Sequence, residues 1–180
     1  MPFVDVPGFV TLLNEKRASV GRLALELLIL TAARSGEIRG ATWSEVDASK
    51  ALCTIPADRM KAGREHVIPL SKEALGVFER ALRWARGNGD PDELIFPGAK
   101  KGCSLSDMTL TKVLRDSDLK ATPHGFRSSF KDWASETTNF SNELSEAALA
   151  HIIPNKTEAA YRRSTMIEKR RALMSEWGRF

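Results

Sequence analysis

The residue with the clearest potential for covalent chemistry is Tyr161, the only tyrosine in 180 residues. Arg162 and Arg163 follow it directly, and His151 precedes it by ten positions. A phenol is a poor nucleophile at neutral pH, because its reference pKa is about 10. It becomes competent when cations stabilise a pentacoordinate phosphate and the phenol is held in line. Half-buried packing on a helix is the more common role of a lone tyrosine and is equally compatible with the pattern.

A second candidate for phosphate contact is the segment PHGFRSSFKDW, residues 123–133. His124 and Arg127 are three residues apart and share a helical face, whereas the aromatic residues fall on a different stripe that is predicted to enter the core. We therefore expect His124, Arg127 and Lys131 to point outward from the first turns of a helix, whose N-terminal end favours anions. Taken alone, the His-x-x-Arg pattern is better explained by surface residues without a special role.

Arg34 follows an almost entirely apolar helix in the segment TAARSGEIRG, residues 31–40. It is therefore expected close to the core, where an arginine must be paired or hydrogen-bonded. Glu37, three residues later, is the predicted partner. Two interpretations remain open at this point: a structural ion pair at a helix end, or an arginine held at the floor of an anion site with Glu37 as its support.

Two short β-type segments, residues 51–56 and 66–71, flank a polar loop that contains a glycine, and this pattern predicts a β-hairpin. Lys61 lies at the predicted tip with Arg59 and Arg64 as neighbours. A lysine in such a loop is usually only solvated, but it can also move over a bound strand and donate a proton to a leaving oxygen.

His151 ends the segment SEAALAH, residues 145–151. A helix C-terminus favours a histidine through the helix dipole, so a structural role fits as well as a hydrogen bond to a phosphate. His66 lies in a predicted strand, and no chemistry is assigned to it.

Composition excludes several classes of protein. The hydrophobic fraction of 42% supports one domain with a real core, and the longest apolar stretch, residues 23–33, is too short to span a bilayer. Cys53 and Cys103 match no metal spacing and are interpreted as reduced core thiols of a cytoplasmic protein. The net charge is +4, and residues 156–171, with six basic and two acidic side chains, account for all of it. That window is either a solvated basic helix face or a surface that meets a polyanion.

Periodicity predicts a mainly α protein with a small antiparallel β-sheet, an α+β fold. Helices are predicted over residues 6–19, 20–34, 71–86, 104–117, 122–136, 141–151, 157–163 and 166–180. The second helix is expected to be central and to end in a glycine-containing turn at residues 35–40. Thr122 is the expected N-cap of the fifth helix, with Pro123 at its first position. The apolar face of the last helix packs either on its own core or on a neighbouring subunit.

Taken together in chain order, these residues resemble the catalytic set of the tyrosine recombinases, the phage-integrase family. All six positions of that set are present: Arg34, Lys61, His124, Arg127, His151 and Tyr161. The surrounding segments TAARSGEIRGATWSEVD, ADRMKAGREHVIPLS, TPHGFRSSFKDWASE and LAHIIPNKTEAAYRRSTMIEKRRALMSEW resemble the first arginine box, the lysine hairpin, the second box and the histidine–tyrosine box. The resemblance extends from about residue 8 to the C-terminus. The overall sequence pattern is most similar to that of integrases of genomic islands and satellite prophages.

The resemblance implies the catalytic-domain fold of that family, with residues 1–180 as a single domain and the family's N-terminal core-binding and arm-binding domains absent from this chain. It implies double-stranded DNA at attachment sites as the partner and a homo-oligomer, a tetramer on DNA, with a monomer compatible with the free state. An accessory DNA-bending or directionality factor, a bacterial cytoplasmic location, and no metal or ATP requirement are also expected.

By the same resemblance, Tyr161 attacks a DNA phosphodiester and leaves a 3′-phosphotyrosyl link and a free 5′-hydroxyl. Arg34, supported by Glu37, and Arg127 bind the non-bridging oxygens, while Lys61 protonates the departing oxygen. His124 and His151 add hydrogen bonds, and His124 helps to take the phenol proton. Further candidates for DNA contact are Arg59, Arg64, Lys131, Arg162 and Arg163.

Three alternatives are open. A type IB topoisomerase uses a similar set of residues to relax supercoiled DNA at a single site. A catalytically silent helical DNA-binding module forms no adduct and has no need of the tyrosine. A metal-dependent nuclease is disfavoured, because no carboxylate cluster is visible in the sequence.

Overall fold

A computed structural model describes residues 1–85, 89–151 and 166–180. The α-helices in these ranges are α1 Val6–Glu15, α2 Val20–Thr31, α3 Ser35–Arg39, α4 Lys72–Ala81, α5 Asp107–Arg115, α6 Gly125–Thr137, α7 Asn142–Ala148 and α8 Ile167–Arg179. The strands are β1 Val46–Asp47, β2 Leu52–Ile55 and β3 His66–Pro69. Short 3₁₀ turns occur at Phe3–Asp5, Trp43–Glu45, Ala57–Arg59 and Leu82–Trp84. The predicted mainly α fold with a small antiparallel sheet is confirmed.

The three strands form one antiparallel sheet in the order β1-β2-β3. Ile55 pairs with His66 at the end of the predicted hairpin, so its loop spans residues 56–65. Strand β1 was not predicted, because two residues carry no periodicity that a sequence pattern can detect.

Helix α2 is the centre of the core, and every residue from Leu23 to Thr31 is buried. It ends at Thr31 rather than at residue 34, because Ala32 adopts a left-handed conformation with φ of 50°. The predicted turn at residues 35–40 is wrong, since Ser35–Arg39 forms helix α3. Glu37 lies in the first turn of α3 and accepts the backbone N–H of Arg34, which satisfies one of the open amides at the start of the helix.

Helix α6 begins at Gly125, later than the predicted start at Pro123. Thr122 still acts locally, because its hydroxyl oxygen accepts the N–H of Gly125 at 3.1 Å.

The last helix, α8, packs on the core of its own chain. Leu173, Met174 and Trp177 are buried, and the indole Nε1 of Trp177 donates to the carbonyl oxygen of Ile29 at 2.7 Å. Of the two placements considered for this helix, the described residues therefore show the intramolecular one.

The two cysteines differ in environment. Cys53 is buried, as predicted, and burial raises the pKa of its thiol to about 12. Cys103 is exposed, so its interpretation as a core thiol is wrong.

Candidate active site

The C-terminal end of helix α7 is where the candidate residues meet. The carbonyl oxygen of Ala148 lies 3.2 Å from Nε2 of His66, a ring nitrogen that must donate because a carbonyl only accepts. The next carbonyl, Leu149, accepts from Nη2 of Arg127 at 2.6 Å. The third, Ala150, accepts from Nη2 of Arg34 at 3.4 Å. Three consecutive carbonyls that a helix end leaves open are thus bound by side chains from three different parts of the chain.

Arg34 precedes helix α3 and is held by Glu37, as predicted. Its Nη1 donates to Oε1 of Glu37 at 2.7 Å, and its backbone N–H donates to Oε2 at 2.7 Å. Glu37 is 5% exposed, whereas the Arg34 side chain is 28% exposed. Glu37 and the carbonyl of Ala150 therefore hold the guanidinium in place, while part of the side chain remains exposed.

Arg127 is buried, so the expectation that it points outward from α6 is wrong. The side chain turns inward and donates to the carbonyl of Ala32 at 2.5 Å, in addition to that of Leu149. Its Nε–H has no hydrogen-bond partner among the described residues. Burial, and then the nearby charge of Arg34, lower the pKa of Arg127 to about 10, so it remains a cation at neutral pH. Local periodicity missed this position because both carbonyl partners lie outside helix α6.

His151 lies just beyond α7 in a Schellman turn. Ala150 adopts a left-handed conformation with φ of 50°, and the N–H of His151 returns to the carbonyl of Glu146 at 3.0 Å. This turn places the ring between two partners: Nδ1 lies 2.6 Å from Oε2 of Glu146, and Nε2 lies 3.2 Å from Nη2 of Arg127. The ring is 43% exposed, so it is accessible from solvent.

Lys131, a predicted DNA contact that was expected to point outward, is instead engaged within the protein. Its Nζ donates to Oε1 of Glu146 at 2.6 Å and to the hydroxyl of Ser145 at 2.7 Å, and it also binds the side-chain oxygen of Asn142. Only 24% of the side chain is exposed. The structure therefore assigns Lys131 to the support of helix α7.

His124 is exposed immediately before α6, as predicted. Lys61 and Arg64 are exposed on the hairpin loop, also as predicted. In the described ranges, no hydrogen bond or ion pair joins His124 or Lys61 to the cluster at the end of α7.

Arg59, the other basic residue predicted to contact DNA from the hairpin, points inward. Its guanidinium forms an ion pair with the buried Glu45 and donates to the backbone carbonyl of Glu37. A Cβ at Gly40 would lie 3.0 Å from this guanidinium, so a larger residue there would require the arginine to shift. Arg59 thus braces the back of helix α3.

Tyr161, Arg162 and Arg163 lie outside the described residues. Within the described ranges, no group of three or more histidine, cysteine, aspartate or glutamate side chains is placed to hold a metal ion. Among the helices of those ranges, none is long and apolar enough to cross a membrane.

Sequence reasoning missed two residues of this site, Glu146 and His66. Glu146 is five positions before His151, a spacing that is not a helical neighbour and becomes close only through the Schellman turn. His66 is buried on β3, and burial followed by the charge of Arg170 lowers its pKa to about 4. The only available signal for His66 was a histidine at an inward position of an apolar strand.

Comparison with known proteins gives consistent matches. The profile of the phage integrase family matches residues 5–168. Prophage integrase IntZ of Escherichia coli (strain K12) is 31% identical over 179 residues, which are 98% of this chain and 43% of that protein. The integrase of Enterobacteria phage P4 is 32% identical and covers 98% of this chain and 44% of its own length. Tyrosine recombinase XerD of Pseudomonas aeruginosa is 33% identical over 82 residues, 44% of this chain and 26% of that protein. The chain thus spans less than half the length of these relatives.

Proposed function

Because the chain belongs to the phage integrase family, we propose that it is the catalytic domain of a site-specific DNA recombinase, with residues 1–180 as a single domain and Tyr161 as the nucleophile. The observation that carries the proposal is the convergence of Arg34, Arg127 and His151 on the end of α7. Two guanidiniums and an imidazole around one point suit a phosphodiester, whose non-bridging oxygens gain negative charge in the transition state.

In the proposed reaction the phenol oxygen of Tyr161 attacks the phosphorus, and the bond from phosphorus to the 5′ oxygen breaks. The products are a 3′-phosphotyrosyl link and a 5′-hydroxyl. The attack of a 5′-hydroxyl from a partner strand reverses the step and exchanges strands. One phosphoester replaces another, so the reaction requires no ATP. The proposed guanidiniums and imidazoles stabilise the charge of the transition state in place of a metal ion.

The proposed roles of the side chains are compatible with their placement. Arg34 is held by Glu37 while part of its side chain remains exposed, which suits one non-bridging oxygen. Arg127, held by carbonyls on either side, approaches the other oxygen from within the protein. Exposed His124 contacts the phosphate and helps to take the phenol proton. Lys61 reaches the leaving 5′ oxygen from the exposed hairpin loop and donates its proton there.

DNA contact is proposed for the exposed Arg64 and for Arg162 and Arg163, next to the nucleophile. The proposed partner is double-stranded attachment-site DNA in the bacterial cytoplasm. On it the protein assembles as a homo-oligomer, a tetramer, with an accessory DNA-bending or directionality factor.

The test is capture of the covalent intermediate. The chain is incubated, in the presence of a chelator, with a pool of nicked duplexes of random sequence, and protein-linked DNA is separated on a denaturing gel. The wild type is expected to form an adduct and Tyr161→Phe to form none. An adduct that persists in Tyr161→Phe would exclude this nucleophile, and an adduct that disappears with the chelator would favour a metal-dependent mechanism.

A further inference from the structure

Each ring nitrogen of His151 faces a group that can act in a hydrogen bond only as an acceptor or only as a donor. A carboxylate, Glu146, lies 2.6 Å from Nδ1, and a guanidinium, Arg127, lies 3.2 Å from Nε2. A carboxylate only accepts hydrogen bonds and a guanidinium only donates them. Without a ligand, therefore, the proton is on Nδ1 and Nε2 is an acceptor.

Glu146 is itself held in place by Lys131. Oε1 of the carboxylate accepts from Nζ of Lys131 at 2.6 Å, while Oε2 faces the imidazole. Burial opposes ionisation, but the hydrogen bonds from Lys131 and His151 outweigh it and lower the pKa of Glu146. The carboxylate is therefore ionised at neutral pH, and each of its oxygens has a separate partner.

Binding of a phosphate changes the hydrogen-bonding role of Nε2 from acceptor to donor. A phosphate oxygen accepts hydrogen bonds as a carboxylate does, so Nε2 contacts it favourably only when it carries a proton. Nδ1 must remain protonated because it still faces Glu146. With phosphate on one side and carboxylate on the other, the ring is an imidazolium.

We propose that Glu146 is a positioning residue that acts through His151: it orients the ring by Nδ1 and stabilises the doubly protonated form that the scissile phosphate requires. The inference rests on the proposed function. It deepens that function by coupling DNA binding to uptake of one proton and to release of Arg127 Nη2 from His151.

The surrounding charges explain why a carboxylate is needed at this place. Among the described residues, the charged groups that contact His151 or surround its two partners come from α6, α7 and the start of α3: Arg127, Lys131, Glu146, Arg34 and Glu37. The cations Arg127 and Lys131 contact the ring or its carboxylate partner and can only donate hydrogen bonds. Glu37 is occupied by Arg34, which leaves Glu146 as the carboxylate that contacts the ring directly.

The first test determines which ring nitrogen of His151 carries the proton in the absence of DNA. Nitrogen NMR of ¹⁵N-histidine-labelled protein at pH 8, assigned with a His151→Asn variant, distinguishes the two neutral tautomers. The wild type is expected to be protonated on Nδ1. Glu146→Gln keeps an acceptor oxygen and is expected to retain this tautomer in part, whereas Glu146→Ala loses the preference. A wild-type ring protonated on Nε2, or a Glu146→Ala spectrum identical to wild type, would overturn the proposal.

The second test measures adduct formation on the nicked-duplex pool as a function of pH. Glu146→Ala is expected to lose about 10- to 100-fold in rate, the usual effect of removing the residue that orients a functional histidine. Glu146→Gln should lose less, and its alkaline limit should move to lower pH because the imidazolium has lost its counter-charge. The matched control is Glu136→Gln, the same change at an exposed position of α6, which is expected to match wild type.

Failure of the proposed function and failure of the proposed role of Glu146 give different experimental results. A wild-type chain that forms no adduct at any pH overturns the proposed function, while the nitrogen spectra still decide whether Glu146 controls His151. Adduct formation that is the same in wild type, Glu146→Ala and Glu146→Gln at every pH overturns the role of Glu146 and leaves the proposed function standing. The melting temperature of each variant is measured alongside, so that unfolding is not mistaken for lost positioning.

Discussion

Replacement of Arg127 by alanine is expected to weaken the fold as well as to remove cleavage. The side chain donates to Ala32 at 2.5 Å and to Leu149 at 2.6 Å, and hydrogen bonds of a charged group contribute about 1.5–3 kcal/mol each. Their sum of about 3–6 kcal/mol is reduced because the folded protein no longer buries a charge. We therefore expect a net loss of about 2–4 kcal/mol in the free energy of unfolding. In a chain of this size, that corresponds to a fall in melting temperature of about 4–16 °C.

The assay is urea denaturation with an independent thermal melt. Arg115→Ala is the matched control, because it makes the same change at an exposed position of helix α5, and its stability should stay within about 0.5 kcal/mol of wild type. Arg127→Lys, which keeps the charge but cannot reach both carbonyls, should fall between wild type and Arg127→Ala. If Arg127→Ala unfolded at the same urea concentration as wild type, the argument that this arginine joins α2, α6 and α7 would be refuted.

Two further predictions concern the hairpin. Lys61→Ala should slow cleavage of an ordinary duplex by about a hundredfold or more, since it removes a general acid. The same substitution should hardly change the cleavage rate of a duplex with sulfur at the 5′ bridging position, because a thiolate leaves without a proton. An equal loss of rate on both substrates would mean that Lys61 acts by binding. His66 has a pKa lowered to about 4 in the folded protein against 6.5 when unfolded, so its contribution to stability is complete above pH 6.5 and is lost as the pH falls towards 4. The free energy of unfolding of the wild type, measured by urea denaturation, should therefore fall by about 2 kcal/mol between pH 7 and pH 5, and that of His66→Gln should fall by less. The same decrease in both proteins would assign the effect to other groups.

The local sequence pattern was sufficient to predict contacts between residues that are close together in the chain. The hairpin was predicted from two short β-type segments on either side of a polar loop, and the pairing of Ile55 with His66 confirms it. The Arg34–Glu37 pair was predicted from a spacing of three, which a single helical turn converts into contact. The family assignment drew on the same kind of information, because short segments of fixed residue order identify it.

Tertiary contact decided the orientation of Arg127, Lys131 and Arg59. Arg127 and Lys131 were expected to face outward, and Arg59 was a candidate for DNA contact. Each turns towards a partner on another element: Arg127 to Ala32 and Leu149, Lys131 to Glu146, and Arg59 to Glu45. A buried cation requires such acceptors. They lie between 14 and 95 residues away in the chain, beyond the range of a helical or strand period.

The sequence by itself therefore determined the family and the α+β architecture, and it supplied the set of residues proposed to perform phosphoryl transfer. It did not determine how that set is held. The left-handed Ala150 returns His151 to Glu146, and three carbonyls at the end of α7 anchor His66, Arg127 and Arg34. The physical reason is that unpaired carbonyls at a helix end must be satisfied, and only the folded chain determines which side chains reach them.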